Sequence, residues 1–431
     1  MTFKRDKGIL CVENINFFKI AKIFGTPCYV YSKKKLIKYF NYYKSQLSLI
    51  NHPNLICYAL KANSNIAIIN ILSKIGSGFD IVSIGELEKV LTAGGDPKKI
   101  VYSGVAKKKQ EIKRALKVGI KCFNVESFQE MDRLNLIAIK LKNKANISIR
   151  INPNVDAKTH PYISTGLKNN KFGIAIDKAE EAYIYAKSLK NIKIIGIDFH
   201  IGSQILKINP FIEALDNIIL LIKKLYKKKI KLNILDMGGG LGINYKKIKL
   251  YKYLIKKYFS TICEIIFANI HNIEIILEPG RSILANTGVL LTKIEIIKKI
   301  NFKNFAIVDA GMSDFIRPAF YNAWHNIKVV DLNKVKYYKN LFYDIVGPIC
   351  ESSDFLGKKR YLNKLSQKDL LVIHSVGAYG FVMCSNYNTR KRPSEIIVDK
   401  NKIFLIREFD CLKSLWKQEY INRYVKNVNL F

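Results

Sequence analysis

The sequence predicts a (β/α)8 TIM barrel followed by a C-terminal all-β domain. Eight apolar runs lie between residues 55 and 278, most of them separated by helix-like stretches. Beyond about residue 285, strand-like runs continue but helical stretches become few. Buried parallel strands read as near-continuous apolar runs, because both faces of the sheet are covered. Eight such runs alternating with helices close into a barrel, a fold that usually takes about 250 residues. A chain of 431 residues has room for a second core. The expected division is 1–32 as N-terminal strands packing with the β domain, 33–284 as the barrel and 285–431 as the β domain.

Two short β-like runs open the chain, ILCV (9–12) and PCYVYS (27–32), and both read as strands lent to the second domain. Residues 33–50 read as a helix with Leu36, Tyr39, Phe40, Tyr43 and Leu47 on one stripe, a core face. The first barrel run, LICYAL, delivers Lys61. FDIVS (79–83), IVYS (100–103), KCFNV (121–125), ISIRI (147–151), IIGIDFHI (194–201) and LNILDM (232–237) follow. The last, IEIIL, runs into Glu278-Pro279-Gly280-Arg281. Ser127 to Glu130 reads as a capping box that starts a helix. The second domain is expected from VLLTKIEII (289–297), FAIVDA (305–310), KVVDL (328–332), DIVGPIC (344–350), DLLVIHS (369–375) and SEIIVDKNKIFLI (394–406).

The formal net charge is +38, and lysine far outnumbers arginine. Such a charge suits nucleic acid or an anionic surface. The lysines are spread through the helices, however, and isoleucine and asparagine are abundant too, as in the product of an A- and T-rich gene. No nucleic-acid role is therefore expected, though an anionic substrate would be attracted at long range. The eight cysteines form no C-x-x-C pair, and no histidine shows zinc spacing beside them, so no metal site is expected. There is no signal-peptide pattern and no apolar stretch that could span a bilayer. The expectation is a reduced, cytoplasmic protein with no membrane partner.

In a barrel the active site is built where strands end, and the unusual residues lie there. Lys61 is either a snorkelling side chain or an amine in a dry pocket, where desolvation lowers its pKa and makes it a Schiff-base nucleophile. Asp80 is either a turn carboxylate or part of the site. The fifth strand ends Arg150-Ile151-Asn152-Pro153, and a long loop follows that carries His160-Pro161 and Ser164-Thr165-Gly166 and closes on Lys171-Phe172-Gly173; loops of that length tend to be functional. His200 could be a base, a ligand or a plate for ring stacking. With no carboxylate read beside it, a metal role is not expected. The glycine turn Gly238-Gly239-Gly240 and the turn Gly280-Arg281 follow the last two strands, where barrels bind phosphate on bare backbone amides. In the second domain, Ser313 to Tyr321, Cys350 to Asp354 and Gly377 to Gly380 read as loops facing a ligand. A reactive lysine, a phosphate cradle and a carboxylate at an opposite strand end are the parts that pyridoxal 5'-phosphate needs.

The same stretches resemble the diaminopimelate decarboxylase family, in the alanine-racemase-like fold group of pyridoxal phosphate enzymes. The matching segments include Tyr58 to Asn63, GFDIVSIGE (78–86), CFNVES (122–127), Arg150 to Gly173, His200 to Gln204, Gly238 to Gly240, Glu278 to Arg281, Asp309 to Tyr321, Gly347 to Asp354 and Gly377 to Asn388. Together they cover nearly the whole chain. One small departure is Asp-Phe before His200. The resemblance implies a head-to-tail homodimer that converts meso-2,6-diaminopimelate to L-lysine and CO2, the last step of lysine biosynthesis. It implies that Lys61 binds the cofactor covalently and His200 stacks on its ring. Ser203, Gly239, Gly240, Gly280 and Arg281 would hold the phosphate region or lie beside it, and Glu278 would pair with the pyridine nitrogen. Arg281, Arg317 and Tyr321 would grip the distal carboxylate of the substrate and Glu351 its distal ammonium. Tyr379 would touch both molecules, and Cys350 from the other subunit would act as proton donor.

A decarboxylase for ornithine, arginine or a carboxylated polyamine is the nearest alternative. Glu351 in second place of Cys-Glu-Ser-Ser-Asp argues against it. A racemase would need a second acid–base group on the opposite ring face and would not favour Glu278.

Overall fold

The computed structural model describes residues 2–157, 165–166, 170–246, 251–301, 303–333 and 340–421. His160, Pro161 and Ser164 of the long loop lie outside the described residues. The chain opens with a small antiparallel sheet, β1 (Phe3–Asp6), β2 (Ile9–Val12) and β3 (Ile15–Asn16). Helix α1 (Phe17–Phe24) follows, and the Asn16 side chain caps it by accepting from the Lys19 amide at 2.8 Å. The sequence reading has no helix here, because FFKIAKIF is short and sits between two β-like runs. ILCV pairs within this small sheet rather than in the large one. Leu10, Val12, Phe17 and Ile20 nonetheless bury against Val289, Leu291 and Val372 of the C-terminal sheet. Strand β4 (Cys28–Ser32) follows, then α2 (Lys33–Leu47), which buries the whole stripe from Leu36 to Leu47.

The barrel strands are β5 (Asn54–Ala59), β6 (Gly78–Ile81), β7 (Ile100–Tyr102), β8 (Cys122–Val125) and β9 (Ala145–Asn152). A two-residue strand β10 (Ile174–Ala175) lies beside β9. The ring continues through β11 (Ile192–Asp198), β12 (Ile234–Asp236) and β13 (Glu274–Leu277), all parallel, and closes between β13 and β5. Each of the eight expected runs supplies one ring strand. Helices α3 (Ile66–Lys74), α4 (Ile84–Thr92), α5 (Lys109–Val118), α6 (Phe128–Lys140), α7 (Ala179–Ser188), α8 (Asn209–Lys227) and α9 (Tyr251–Asn269) alternate with these strands. No helix among the described residues is long and apolar enough to cross a membrane.

Serine caps start two of these helices. Ser83 Oγ accepts from the Glu86 amide and Ser127 Oγ from the Glu130 amide, both at 3.2 Å. The Glu130 carboxylate reaches back to the Glu126 amide at 2.9 Å, one residue beyond the expected reciprocal partner. Its other oxygen holds the buried Lys107 ammonium at 2.6 Å, and Lys107 also donates to the Gly104 and Asn124 carbonyls. That ammonium ties the segment after β7 to the start of α6.

After the short helix α10 (Arg281–Leu284) the chain becomes mostly strand, broken by α11 (Arg317–Tyr321). The strands are β14 (Gly288–Ile300), β15 (Lys303–Val308), β16 (Ile327–Val329), β17 (Leu341–Val346), β18 (Phe355–Leu362), β19 (Leu370–His374), β20 (Ser394–Asp399) and β21 (Lys402–Arg407). Their order is β18-β17-β15-β14-β4-β20-β21, with β19 bridging β14 and β16. The N-terminal β4 thus sits inside the C-terminal sheet, antiparallel to β14 and parallel to β20. The sequence reading passes over β18, because FLGKKRYL carries two lysines and an arginine. An edge strand has one unpaired side, and charge there blocks further pairing. The two parts meet at the site itself. The Tyr379 amide donates to the Ala62 carbonyl at 2.8 Å, and Asn63 Nδ2 donates to the Tyr31 hydroxyl at 3.0 Å.

Candidate active site

A cavity of about 570 Å³ opens at the C-terminal ends of the barrel strands and is roofed by the C-terminal part. Lys61, His200, Ser203, Gly240, Glu278, Gly280, Arg281, Arg317, Tyr321 and Tyr379 all line it. Gly239 stands just behind, donating its amide to His200 Nδ1 at 3.1 Å. Arg150 from β9, with Thr165 and Phe172 from the loop beyond it, completes one wall. Cys350 and Glu351 are exposed and do not line this cavity.

Lys61 follows β5 directly, and its ammonium pairs with Asp80 Oδ2 at 2.7 Å. Desolvation alone would lower its pKa, as expected from the sequence. Asp80 and Glu278 outweigh burial, and the net shift is upward. The amine of this chain therefore holds its proton, a correction to the desolvation-only reading. Asp80 is no turn carboxylate either: it lies within β6, fully buried, facing the amine.

Asp198, Asp236 and Glu278 end β11, β12 and lead out of β13, and their carboxylate oxygens lie within 4.8 Å of one another. Three buried acids this close cannot all be ionised. Burial and then Asp236, Asp80 and Asp198 hold the Glu278 carboxyl well above the usual range, and Asp236 is raised to about 6. Glu278 accepts from Asn124 Nδ2 at 3.4 Å, and Asp236 Oδ1 accepts from the Gly238 amide at 2.9 Å. Arg150 offsets part of this charge, with Nε 3.8 Å from Asp198 and Nη1 3.4 Å from Glu126. His200 is pushed well below its ordinary value by burial, then by Lys61 and Arg150, so its ring is neutral. Since Nδ1 accepts from Gly239, Nε2 carries the proton.

The glycines have a steric reason. A Cβ on Gly239 would stand 2.2 Å from the Glu278 carbonyl oxygen, and one on Gly240 2.5 Å from that of Gly202. Gly238 and Gly240 also adopt positive φ, at 61° and 102°. Arg281 donates from Nη2 to Ser203 Oγ at 3.1 Å and from Nη1 to the Tyr245 hydroxyl at 2.9 Å. Its guanidinium lies over the Tyr379 ring at 4.5 Å. Arg317 faces the rings of Tyr245 and Tyr321 at 5.5 and 5.4 Å. The Nε atoms of both arginines are buried without a hydrogen-bond partner.

These residues fit pyridoxal 5'-phosphate. The turn holding Gly239 and Gly240 has no space for side chains, Ser203 and Arg281 offer donors beside it, and Glu278 keeps a proton. An amine that needs a carbonyl partner is of use with such a cradle only when the carbonyl and an anionic group belong to one molecule. The fold and site are those of a barrel-type pyridoxal phosphate enzyme. Residues 33–285 match the family model described as pyridoxal-dependent decarboxylase, pyridoxal binding domain. The chain is 49% identical over 417 residues to diaminopimelate decarboxylase of Vibrio cholerae, covering 97% of this chain and 98% of that one. It is similar to the crystal structure of diaminopimelate decarboxylase from Helicobacter pylori complexed with L-lysine. The TM-score is 0.87 at 43% identity, over 94% of this chain and 99% of that one. The M. jannaschii enzyme, also in complex with L-lysine, gives 0.91 at 37% identity over 98% of both chains. The chain belongs to the pyridoxal-dependent decarboxylases and, among them, to the diaminopimelate decarboxylase family.

Sequence reasoning left Asp80 undecided and gave no role to Asp198, Asp236 or Tyr245. The three aspartates were findable, since each interrupts an apolar run destined for burial, where an unpaired charge is costly. Tyr245 carried no such signal. It lies in a turn beyond the glycines, and only the tertiary fold brings Arg281 and Arg317 to it.

Proposed function

We propose that the protein removes one carboxyl group of meso-2,6-diaminopimelate as CO2 and releases L-lysine, the last step of lysine biosynthesis. The observation that carries the substrate is the pair Arg281 and Arg317. Both guanidiniums are buried in the Lys61 cavity, and no carboxylate among the described residues pairs with either. A distal carboxylate is the planar, anionic partner such a pair lacks. Ornithine and arginine have no distal carboxylate and would leave both cations unpaired, which is how buried polar groups discriminate.

When bound, pyridoxal phosphate supplies an electron sink for the pair left by the departing carboxyl. Lys61 would hold the cofactor covalently, with Asp80 paired to its amine. The neutral His200 imidazole would lie beside the cofactor ring. Ser203, Gly239, Gly240, Gly280 and Arg281 hold the phosphate region, and Glu278 holds a proton for the ring nitrogen. Tyr321 joins the two arginines at the distal carboxylate, and Tyr379 bounds both cofactor and substrate.

The same reading makes the protein a homodimer with shared sites. Cys350 and Glu351 are exposed here, so a second copy would bring them to the Lys61 cavity, Cys350 to return a proton and Glu351 to bind the distal ammonium. It divides the chain at residues 32 and 284, with β4 counted to the β domain. It also places the protein in the cytoplasm, where its eight free thiols would stay reduced. The test is CO2 release by the cofactor-loaded protein from meso-diaminopimelate, ornithine and arginine in parallel. Turnover of the first alone is expected, and faster turnover of ornithine or arginine would overturn the assignment.

A further inference from the structure

Two guanidiniums held in one cavity repel each other, and something must fix their separation and aim before an anion arrives. The Arg281 and Arg317 side chains have no acidic partner among the described residues, and their charges lower one another's comfort in a buried site. Tyr245 is the residue they share. Its hydroxyl accepts from Arg281 Nη1 at 2.9 Å, while its ring faces the Arg317 guanidinium at 5.5 Å. The ring is itself wedged edge-to-face against the fully buried His325, centroids 4.8 Å apart. His325 is fixed in turn by the His374 carbonyl, 3.0 Å from Nδ1, and by the Phe315 ring.

We propose that Tyr245 is a positioning residue for substrate selection. One end of it holds Arg281 by a hydrogen bond and its face holds Arg317, so that the two cations meet a single distal carboxylate as a preset pair. This rests on the proposed function above. Tyr245 does not line the cavity, so it acts through the arginines and not on the substrate. The electrostatics agree with the geometry. Burial pushes the Tyr245 hydroxyl up, but Arg281 and then Arg317 outweigh it and hold the phenol below the usual tyrosine range. A phenol oxygen rich in negative charge is the better acceptor for Arg281. A preset pair saves the substrate the ordering of two long side chains, which is where preorganisation improves affinity.

The role predicts a split that a merely structural tyrosine would not show. L-lysine retains the end of the substrate that bears the distal carboxylate, whereas 1,5-diaminopentane has both amines and no carboxylate. The experiment uses the cofactor-loaded protein and its Tyr245→Phe and Tyr245→Leu variants. It measures kcat and KM for meso-diaminopimelate and the inhibition constants of both amines. With Tyr245→Phe, KM and the L-lysine constant should rise together by about 10-fold, the scale of one hydrogen bond to a charged group. The 1,5-diaminopentane constant and kcat should stay within about two-fold. Tyr245→Leu, which also removes the ring beneath Arg317, should widen the gap between the two inhibitors. Because the two inhibitors are compared on the same variant, partial misfolding cancels from their ratio. Equal weakening of both inhibitors, or of neither, would overturn the positioning role. A wild-type protein that does not decarboxylate diaminopimelate would instead overturn the proposed function, so the two failures are told apart.

Discussion

Lys61 Nζ and Asp80 Oδ2 lie 2.7 Å apart, reached from neighbouring strands of the barrel in which Ala59 pairs with Asp80. The β5–β6 register places the carboxylate beside the amine. The pair keeps the lysine protonated, so Asp80 governs when the amine becomes a nucleophile.

Replacing Asp80 by asparagine should therefore lower the pH at which Lys61 reacts. The sign follows from the shift: burial lowers the lysine pKa and Asp80 is the largest of the groups that raise it, so removing that acid moves the balance downward. In the cofactor-free Asp80→Asn variant, borohydride-fixed pyridoxal phosphate on Lys61 should appear at a pH lower by about one unit or more, the scale of one close opposite charge. Mass spectrometry across a pH series checks this, and an unshifted midpoint would show that the pair is not in control.

The three buried acids should make the cofactor-free protein lose stability as pH rises from about 4 to 6. Asp236 is raised from 3.8 to about 6 in the folded chain. An acid with a raised folded pKa binds its proton more tightly when folded. Its stabilising share is complete below the unfolded value and is lost as pH climbs through the folded one. Asp236→Asn should flatten that decline by about 3 kcal/mol. Denaturant titrations of both proteins at each pH are the measurement, and parallel curves would refute it.

Arg317→Gln should raise KM for diaminopimelate by about 10- to 100-fold, the range for a lost charge-assisted hydrogen bond. The guanidinium has no other duty that the described residues reveal, so bound cofactor, read from its absorbance, should be unchanged. Loss of cofactor with unaltered KM would place Arg317 at the wrong molecule.

Lys107→Met should destabilise the protein by about 3–5 kcal/mol, since Glu130 would be left buried without its cation. Lys107 and Glu130 are almost wholly buried, at 3% and 5% exposure, and stand 2.6 Å apart. Pairing the change with Glu130→Leu should recover part of the loss. Urea unfolding of the single and double variants decides it, and a double variant less stable than the single one would contradict the account.

Mixing Lys61→Ala with Cys350→Ala protein should restore about a quarter of wild-type activity. In the proposed homodimer, random exchange would make half of the dimers mixed, and each mixed dimer would rebuild one of two sites. If subunits exchange and activity stays at zero, the shared-site reading fails.

The barrel was legible because its strands are buried on both faces and so cannot hide their apolar character. The turns were legible because bare glycine at a strand end has few other uses, and the motifs around Lys61, His200, Glu278 and Arg281 all converge on one cavity. Helix α1 and edge strand β18 escaped, one for being short between β-like runs, the other for carrying charge. Neither strand partners nor pairings between distant side chains leave a local mark on the chain. That ILCV pairs in its own small sheet, that Asp80 faces Lys61, that three strand-ending acids crowd together and that Tyr245 spans two arginines were decided by the closed ring and the sheet packed above it. Local composition sets which segments must be buried, whereas the neighbour each buried charge finds depends on contacts between residues far apart in sequence.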